Sequence, residues 1–141
     1  MTSRKDEHVK LAEMFFEEPR VSDFDNVRFV HHSFPEMAVD DVDISTSFAG
    51  FTVGQPFFIN AMTGGSEKTK IINEKLAVVA RETCLPIASG SLSVAIKNPS
   101  LVDSFEIIRK VNPKGLVFAN LGAGHNVENA KNKFIVMWFK K

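Results

Sequence analysis

Three clusters of small and polar residues recur at a spacing of about thirty positions, each directly after a short apolar run. Asn60-Ala61-Met62-Thr63-Gly64-Gly65 follows Phe57-Phe58-Ile59. Ser89-Gly90-Ser91 follows Pro86-Ile87-Ala88, and Asn120-Leu121-Gly122-Ala123-Gly124 follows Leu116-Val117-Phe118-Ala119. Small residues in such places let a flat ligand or a phosphate come close to the backbone. Thr63 adds a hydroxyl, and a glycine pair can turn main-chain N–H groups outward. A tight strand-to-helix turn asks for the same glycines with no ligand at all, and spacing alone does not separate the two readings.

Three adjacent strands that present Asn or Ser with glycine on one rim carry more weight than any one loop. A planar polar ring needs several in-plane partners, and a flavin is one such ring. The glycine spacing does not match the dinucleotide fingerprint, and there is no Gly-Lys-Ser/Thr of a phosphate loop. A second candidate is the charged pentad Arg4-Lys5-Asp6-Glu7-His8. Arg4 and Lys5 could clamp a diphosphate, one as a two-pronged donor and one as a point charge. A solvated helix start is the competing reading. His31-His32 lack a carboxylate or Cys at ligand spacing and read as structural. His125 follows the third glycine loop, with no partner in sequence to define its role.

These clusters need a scaffold that brings them to one end. The alternation of apolar run, glycine loop and helical spacing is the strand–loop–helix unit of a parallel α/β fold, in which the loops after the strands share one end of the sheet. Ser66 can cap a helix over 67–83, with Ile71, Ile72, Leu76, Val79 and Ala80 on its packing face. Pro99 or Ser100 starts another over 100–111, with Leu101, Phe105, Ile108 and Val111 inward. A third begins near Val127. Residues 4–18 read as a helix with an apolar stripe of Val9, Leu11, Ala12, Met14, Phe15 and Phe16, stopped by Pro19. Residues 19–56 read as an irregular covering segment with one or two short strands against the base or side of the sheet. The final stretch, 132–141, breaks the pattern: Phe134-Ile135-Val136-Met137-Trp138-Phe139 has no helical alternation. It reads as an out-of-frame tail, the alternative being a buried strand.

Size and composition narrow the classes. A closed barrel of eight such units takes about 250 residues, and this chain has 141. It reads either as a small open sheet or as the front part of a barrel. Lys plus Arg equals Asp plus Glu, 17 each, which excludes a basic nucleic-acid footprint. The single Cys84 forms no internal disulfide and fits a reducing cytoplasm. No apolar run reaches the roughly eighteen residues of a membrane span.

Taken together, Arg4-Lys5-x-Glu7-His8, Arg28-Phe29-Val30-His31-His32-Ser33, Ile59-Asn60-Ala61-Met62-Thr63-Gly64-Gly65 and Phe118-Ala119-Asn120-Leu121-Gly122-Ala123 resemble, in order and spacing, type 2 isopentenyl diphosphate isomerase. The resemblance runs from residue 4 to about 131. It implies an FMN-dependent (β/α)8 barrel that interconverts isopentenyl and dimethylallyl diphosphate, with reduced FMN supplied through NADPH, and with Mg²⁺. It implies substrate diphosphate contacts at Arg4 and Lys5, and flavin contacts at Ala61, Met62, Thr63, Ser91 and Asn120. Ser91 and Ser93 fall in a stretch near the substrate, where the family often has Gln and Arg and this chain has Leu92 and Ser93.

The resemblance also implies what this chain lacks. A His-x-Asn segment, a Gln-Glu pair for Mg²⁺, a flavin-binding Lys and the glycine loops for the FMN phosphate are all missing, so no catalytic residue and no metal ligand is assigned here. The expected organisation is 1–56 as an N-terminal helix and covering extension, 57–131 as the first three βα units of an incomplete (β/α)8 TIM barrel, and 132–141 as the atypical tail. The expected protein is a truncated, inactive cytoplasmic isomerase copy with a small isoprenoid diphosphate as partner. Neither nucleic acid nor membrane is expected as a partner, and the full-length family is expected to be homo-oligomeric. Two alternatives stand beside it: a non-enzymatic interaction remnant, and a piece of another FMN-dependent (β/α)8 oxidoreductase. Members of that second group lack the Arg-Lys-x-Glu-His pentad.

Overall fold

The computed structural model of the chain describes residues 4–18 and 21–122. Their order is α1 (Arg4–Met14), 3-10 turns at Asp23–Asn26 and Val39–Asp41, β1 (Thr46–Phe48), β2 (Phe51–Val53), α2 (Glu67–Thr83), β3 (Ile87–Ser91), α3 (Ser93–Lys97), a 3-10 turn at Pro99–Leu101, α4 (Asp103–Val111) and β4 (Val117–Asn120). β3 and β4 pair in parallel, with Ile87 opposite Val117 and Ser91 opposite Asn120. On the other side of β3, Ile59 forms a parallel bridge to Ile87. The fold is mixed α/β with an unclosed sheet, as in an incomplete (β/α)8 arrangement.

The first expected strand, 57–60, is reduced to that bridge. Ile59 N–H donates to the Pro86 carbonyl at 2.9 Å, and Ala88 N–H donates to Ile59 at 2.8 Å. The groups of Phe57 and Phe58 have no such ladder, and both side chains remain largely exposed. The expected strand at Pro86–Ser89 lies instead at Ile87–Ser91, with an irregular register between Ala88 and Ser91.

Helix α2 starts at Ser66, whose hydroxyl accepts from Thr69 N–H at 3.2 Å while Thr69 Oγ1 accepts from Ser66 N–H at 2.9 Å. This reciprocal cap satisfies donors that the first turn leaves unpaired. Cys84, in the left-handed conformation, closes the other end. The buried face of α2 is Thr69, Asn73, Ala77 and Ala80. The expected stripe is therefore corrected: Ala80 is buried, but Ile71 is 49% exposed and Val79 48%. Small and polar side chains allow α2 to approach its neighbours closely, which bulkier apolar ones would prevent.

The core is Ala77, Ala80, Ile87, Leu92, Ala95, Phe105, Ile108 and Val117. Phe105 and Ile108 of α4 are fully buried, as the 100–111 spacing predicts, and Leu101 and Val111 are half-buried. Each such large side chain contributes about 1.5–3 kcal/mol by leaving water. Helix α3 has no counterpart in the sequence reading, which runs from the second loop directly to Pro99.

Helix α1 ends at Met14, four residues short of Glu18, and buries no residue fully. Of its expected stripe, Leu11, Met14, Phe15 and Phe16 are exposed. The segment that follows holds the antiparallel β1–β2 hairpin. Phe48 of β1 stacks on Phe58 at 5.7 Å and meets Phe118 of β4 edge-on at 5.3 Å. The small Ala88 stands opposite Phe118 in the register. One aromatic ring thus bridges the sheet's two flanks, while every residue from Val21 to Thr52 stays exposed.

Candidate functional site

Parallel pairing places the three loop clusters side by side at the C-terminal end of the sheet. Gly90 N–H donates to the Thr63 carbonyl at 2.9 Å, and Leu92 N–H donates to the Asn120 carbonyl at 2.9 Å. Ser91 and Asn120 are register partners. Thr63, Ser91 and Asn120 therefore stand on three neighbouring tips of one rim.

The glycines in these loops serve close packing first. A Cβ on Gly64 would come within 2.0 Å of the Phe105 ring, and one on Gly90 within 2.3 Å of the Thr63 carbonyl oxygen. Gly64 also has a φ of +146°, in the region that favours glycine. The N–H of Gly65 turns inward and donates to Ser104 Oγ at 2.8 Å. For this amide the expectation of an outward-facing donor is corrected, because the loop closes onto α4 rather than onto open space.

The side chains of the first loop are partly committed too. Asn60 Oδ1 accepts from the Ala61 N–H at 2.8 Å. The Thr63 hydroxyl donates to Asn73 Oδ1. Ala61 and Thr63 are half-buried, and Met62 is exposed. On the second tip the Ser91 and Ser93 hydroxyls lie 2.9 Å apart. Asn120, on the third, is exposed.

Helix α1 docks beside the first of these tips. The Ser66 hydroxyl donates to Asp6 Oδ1 at 2.5 Å, and Lys68 pairs with Glu13 at 3.5 Å. A cavity of about 550 Å³ lies between α1, the first loop and α2. Lys5, His8, Val9, Met62, Thr63 and Ile72 are among its lining residues. Its walls are mainly apolar, with Lys5, Glu13 and His8 and the hydroxyl-bearing Thr63 and Thr69 among them. Arg4 is exposed at the first residue of α1. The structure thus brings Lys5, Met62 and Thr63 to one cavity, and Ser91, Ser93 and Asn120 to the adjoining tips.

Charge elsewhere is concentrated at the start of α4. Asp103 accepts from Lys110 at 2.7 Å and also from Lys70. The bonds from Lys110 and then Lys70 hold its carboxyl down to about 2. The same carboxylate raises both lysines. Arg109 shifts the other way, lowered by burial, while its guanidinium donates to the Gly115 carbonyl at 2.8 Å. The Arg109 guanidinium thus braces the entry to β4, at the end of the sheet opposite the rim, whereas Asp103 and Lys70 join the starts of α4 and α2 on the rim side. Among the described residues no group of three or more His, Cys, Asp and Glu could hold a metal ion. His31 and His32 are exposed, as is Cys84. His125, the helix expected near Val127 and the tail at 132–141 lie outside the described residues.

Asn73 and Ser104 escaped the sequence reading. Asn73 is 2% exposed, donates to the carbonyls of Ser104 at 2.8 Å and Thr63 at 3.3 Å, and so ties the first loop to α2 and α4. The available signal was the four-residue step Thr69–Asn73–Ala77, a small and polar stripe among larger apolar residues.

These features define an open α/β sheet whose strand-to-helix connections form one polar rim, flanked by an N-terminal helix over a small cavity. No protein-family model matches the chain. Among curated proteins it is 57% identical over 128 residues to the isopentenyl-diphosphate delta-isomerase of Latilactobacillus sakei subsp. sakei strain 23K, which covers 91% of this chain and 37% of that one. The proteins of the same description from Staphylococcus saprophyticus and Staphylococcus haemolyticus are 52% and 54% identical over 127 residues, covering 90% of this chain and 36% of theirs. The chain is a homologue of the isopentenyl-diphosphate delta-isomerases and spans a little over a third of their length.

Proposed function

We propose that this chain carries the diphosphate clamp and one flavin wall of a type 2, FMN-dependent isomerase acting on isopentenyl and dimethylallyl diphosphate. The observation that carries this reading is that Lys5 lines one cavity together with Met62 and Thr63. A substrate with an apolar tail and an anionic head suits apolar walls next to a cation. Arg4, the exposed first residue of α1, is the second diphosphate contact of this reading, although it does not line the cavity. Ala61, Met62, Thr63, Ser91 and Asn120 are the cofactor residues of this reading, and Ser91 and Ser93 adjoin the substrate.

The polar groups suit a planar polar ring: hydroxyl oxygens at Thr63 and Ser91 and an amide at Asn120, on three adjacent tips. When bound, reduced FMN supplies the proton chemistry that an unactivated alkene requires, with NADPH as its reductant. The chain's residues orient the ring and the diphosphate and wall off water on one side. Mg²⁺ is given no ligand in this reading, since among the described residues no group of three or more His, Cys, Asp and Glu could hold a metal ion, and no step is assigned to it. The reading keeps 1–56 as helix and extension, 57–131 as three βα units and 132–141 as a tail, in a cytoplasmic protein, with a homo-oligomer expected for the full-length family. No helix among the described residues is long and apolar enough to cross a membrane.

The test is titration of the purified chain with FMN and isopentenyl diphosphate, read by flavin absorbance and fluorescence. The expected result is binding of both, weakened for the diphosphate by Lys5→Met and for FMN by Thr63→Val. No isomerase turnover is expected from the 141 residues alone. A chain that takes up neither molecule overturns the reading, and robust FMN-dependent turnover overturns the assignment of only part of the machinery.

A further inference from the structure

We propose that Asn73 is a positioning residue that fixes the hydrogen-bonding sense of Thr63, so that the rim favours a ring atom carrying a hydrogen. The inference rests on the flavin reading above for its ligand, and on geometry alone for Asn73. Two carbonyls, of Ser104 and Thr63, lie at 2.8 and 3.3 Å from Asn73 Nδ2. A carbonyl can only accept, so both contacts demand the NH₂ end of the amide. The orientation of the side chain is thereby settled from the donor side, and Oδ1 is left facing Thr63 Oγ1. Oδ1 can only accept, so the Thr63 hydroxyl must give it its single proton.

That commitment reaches the rim. A hydroxyl that has donated inward keeps only lone pairs for anything else. Thr63 stands on the rim beside Ser91 and Asn120, and its oxygen can meet a ligand there only as an acceptor. The partner that suits it is an N–H, which reduced flavin offers at ring nitrogens that carry lone pairs in the oxidised form. Asn73 is almost wholly buried, so it acts through Thr63 and not by touching a ligand.

The experiment compares binding of oxidised FMN and dithionite-reduced FMN, under anaerobic conditions, to the full chain and to Asn73→Ala, Asn73→Asp, Thr63→Val and the double variant Thr63→Val/Asn73→Ala. The wild type is expected to favour the reduced form, and Asn73→Ala to cut that preference about two- to tenfold, the worth of one hydrogen bond. Asn73→Asp keeps the acceptor oxygen and is expected to keep the preference. A role in stability alone would make Asp at least as damaging as Ala. The double variant should match Thr63→Val, because both changes act on one hydroxyl. An unchanged preference in Asn73→Ala, or additive effects in the double variant, overturns the proposal.

A flavin-free measurement separates this inference from the reading it rests on. In NMR spectra of the chain in cold water, the Thr63 hydroxyl proton is expected to exchange slowly in the wild type and rapidly in Asn73→Ala. If the chain binds neither form of FMN but the proton is protected, the flavin reading fails and the role of Asn73 stands. A rapidly exchanging proton in the wild type overturns the role of Asn73 whatever the chain binds.

Discussion

Residues 21–58 and residues 59–122 are both rich in apolar side chains, yet only the second region builds a core. In the first, Phe29 is 97% exposed and Val30 98%. In the second, Phe105, Ile108, Ile87 and Val117 are almost inaccessible. Side-chain type does not explain the difference, since phenylalanine occurs in both. The second region has two layers, a parallel sheet and the helices α2 and α4, and each supplies the apolar face that the other needs. The first has short turns and one hairpin, and among the described residues its aromatic contacts to the sheet run through Phe48. Apolar content becomes a core only where a second layer faces it.

Substitutions on the two sides of this divide should differ sharply. The largest effect is expected from Phe105→Ala, which empties the site beneath Gly64 and should cost about 3–5 kcal/mol, measured by chemical denaturation. A loss below about 1 kcal/mol would mean that the second region is not packed as described. Next comes Ser104→Ala, which leaves the Gly65 N–H without its acceptor and should cost about 1–3 kcal/mol. Hydrogen exchange at the Gly65 amide is expected to accelerate with it. Phe48→Ala removes the one bridging ring and should cost about 0.5–1.5 kcal/mol, which would place the hairpin between the two regimes. Phe29→Ala should stay within about 0.5 kcal/mol in the same assay, and a larger loss would show that the first region has a core of its own.

An acid titration sharpens the comparison within the packed region. Asp103 is lowered to about 2 from 3.8 by Lys110 and Lys70. Because the folded value lies below the ordinary one, its contribution is fully present above about pH 4 and fades as pH falls through 2. Asp103→Asn should flatten the stability profile between pH 4 and 2 and leave it unchanged in slope near neutrality. A profile still as steep in the variant would place the acid sensitivity elsewhere.

Much of the α/β unit was legible in the chain itself. Glycine loops at regular spacing, a Ser66 cap and the helical repeat over 67–83 locate α2, and the periodicity of Phe105 and Ile108 gives the buried side of α4. These are local signals, written in neighbouring residues and in the helical repeat. The same signals fail where the decision is made by a distant partner. The larger apolar residues of α2, Ile71 and Val79, lost the inward face to Thr69, Asn73 and Ala77, because Ser104 and Thr63 offer Asn73 hydrogen bonds that no one-dimensional pattern displays. Helix α1 carries an apolar stripe but little for it to press against among the described residues.

The candidate site divides along the same line. Its rim residues, Thr63, Ser91 and Asn120, could be named from sequence because strand ends and glycine loops mark them. Their adjacency, the cavity shared by Lys5 with Thr63 and the inward turn of the Gly65 amide were decided by tertiary structure. Residue order sets which chemical groups are available and where strands and helices begin. Only packing brings groups thirty to sixty positions apart within hydrogen-bonding distance, as in Ser66 with Asp6 and Gly65 with Ser104, since those contacts form only after the layers have closed on each other.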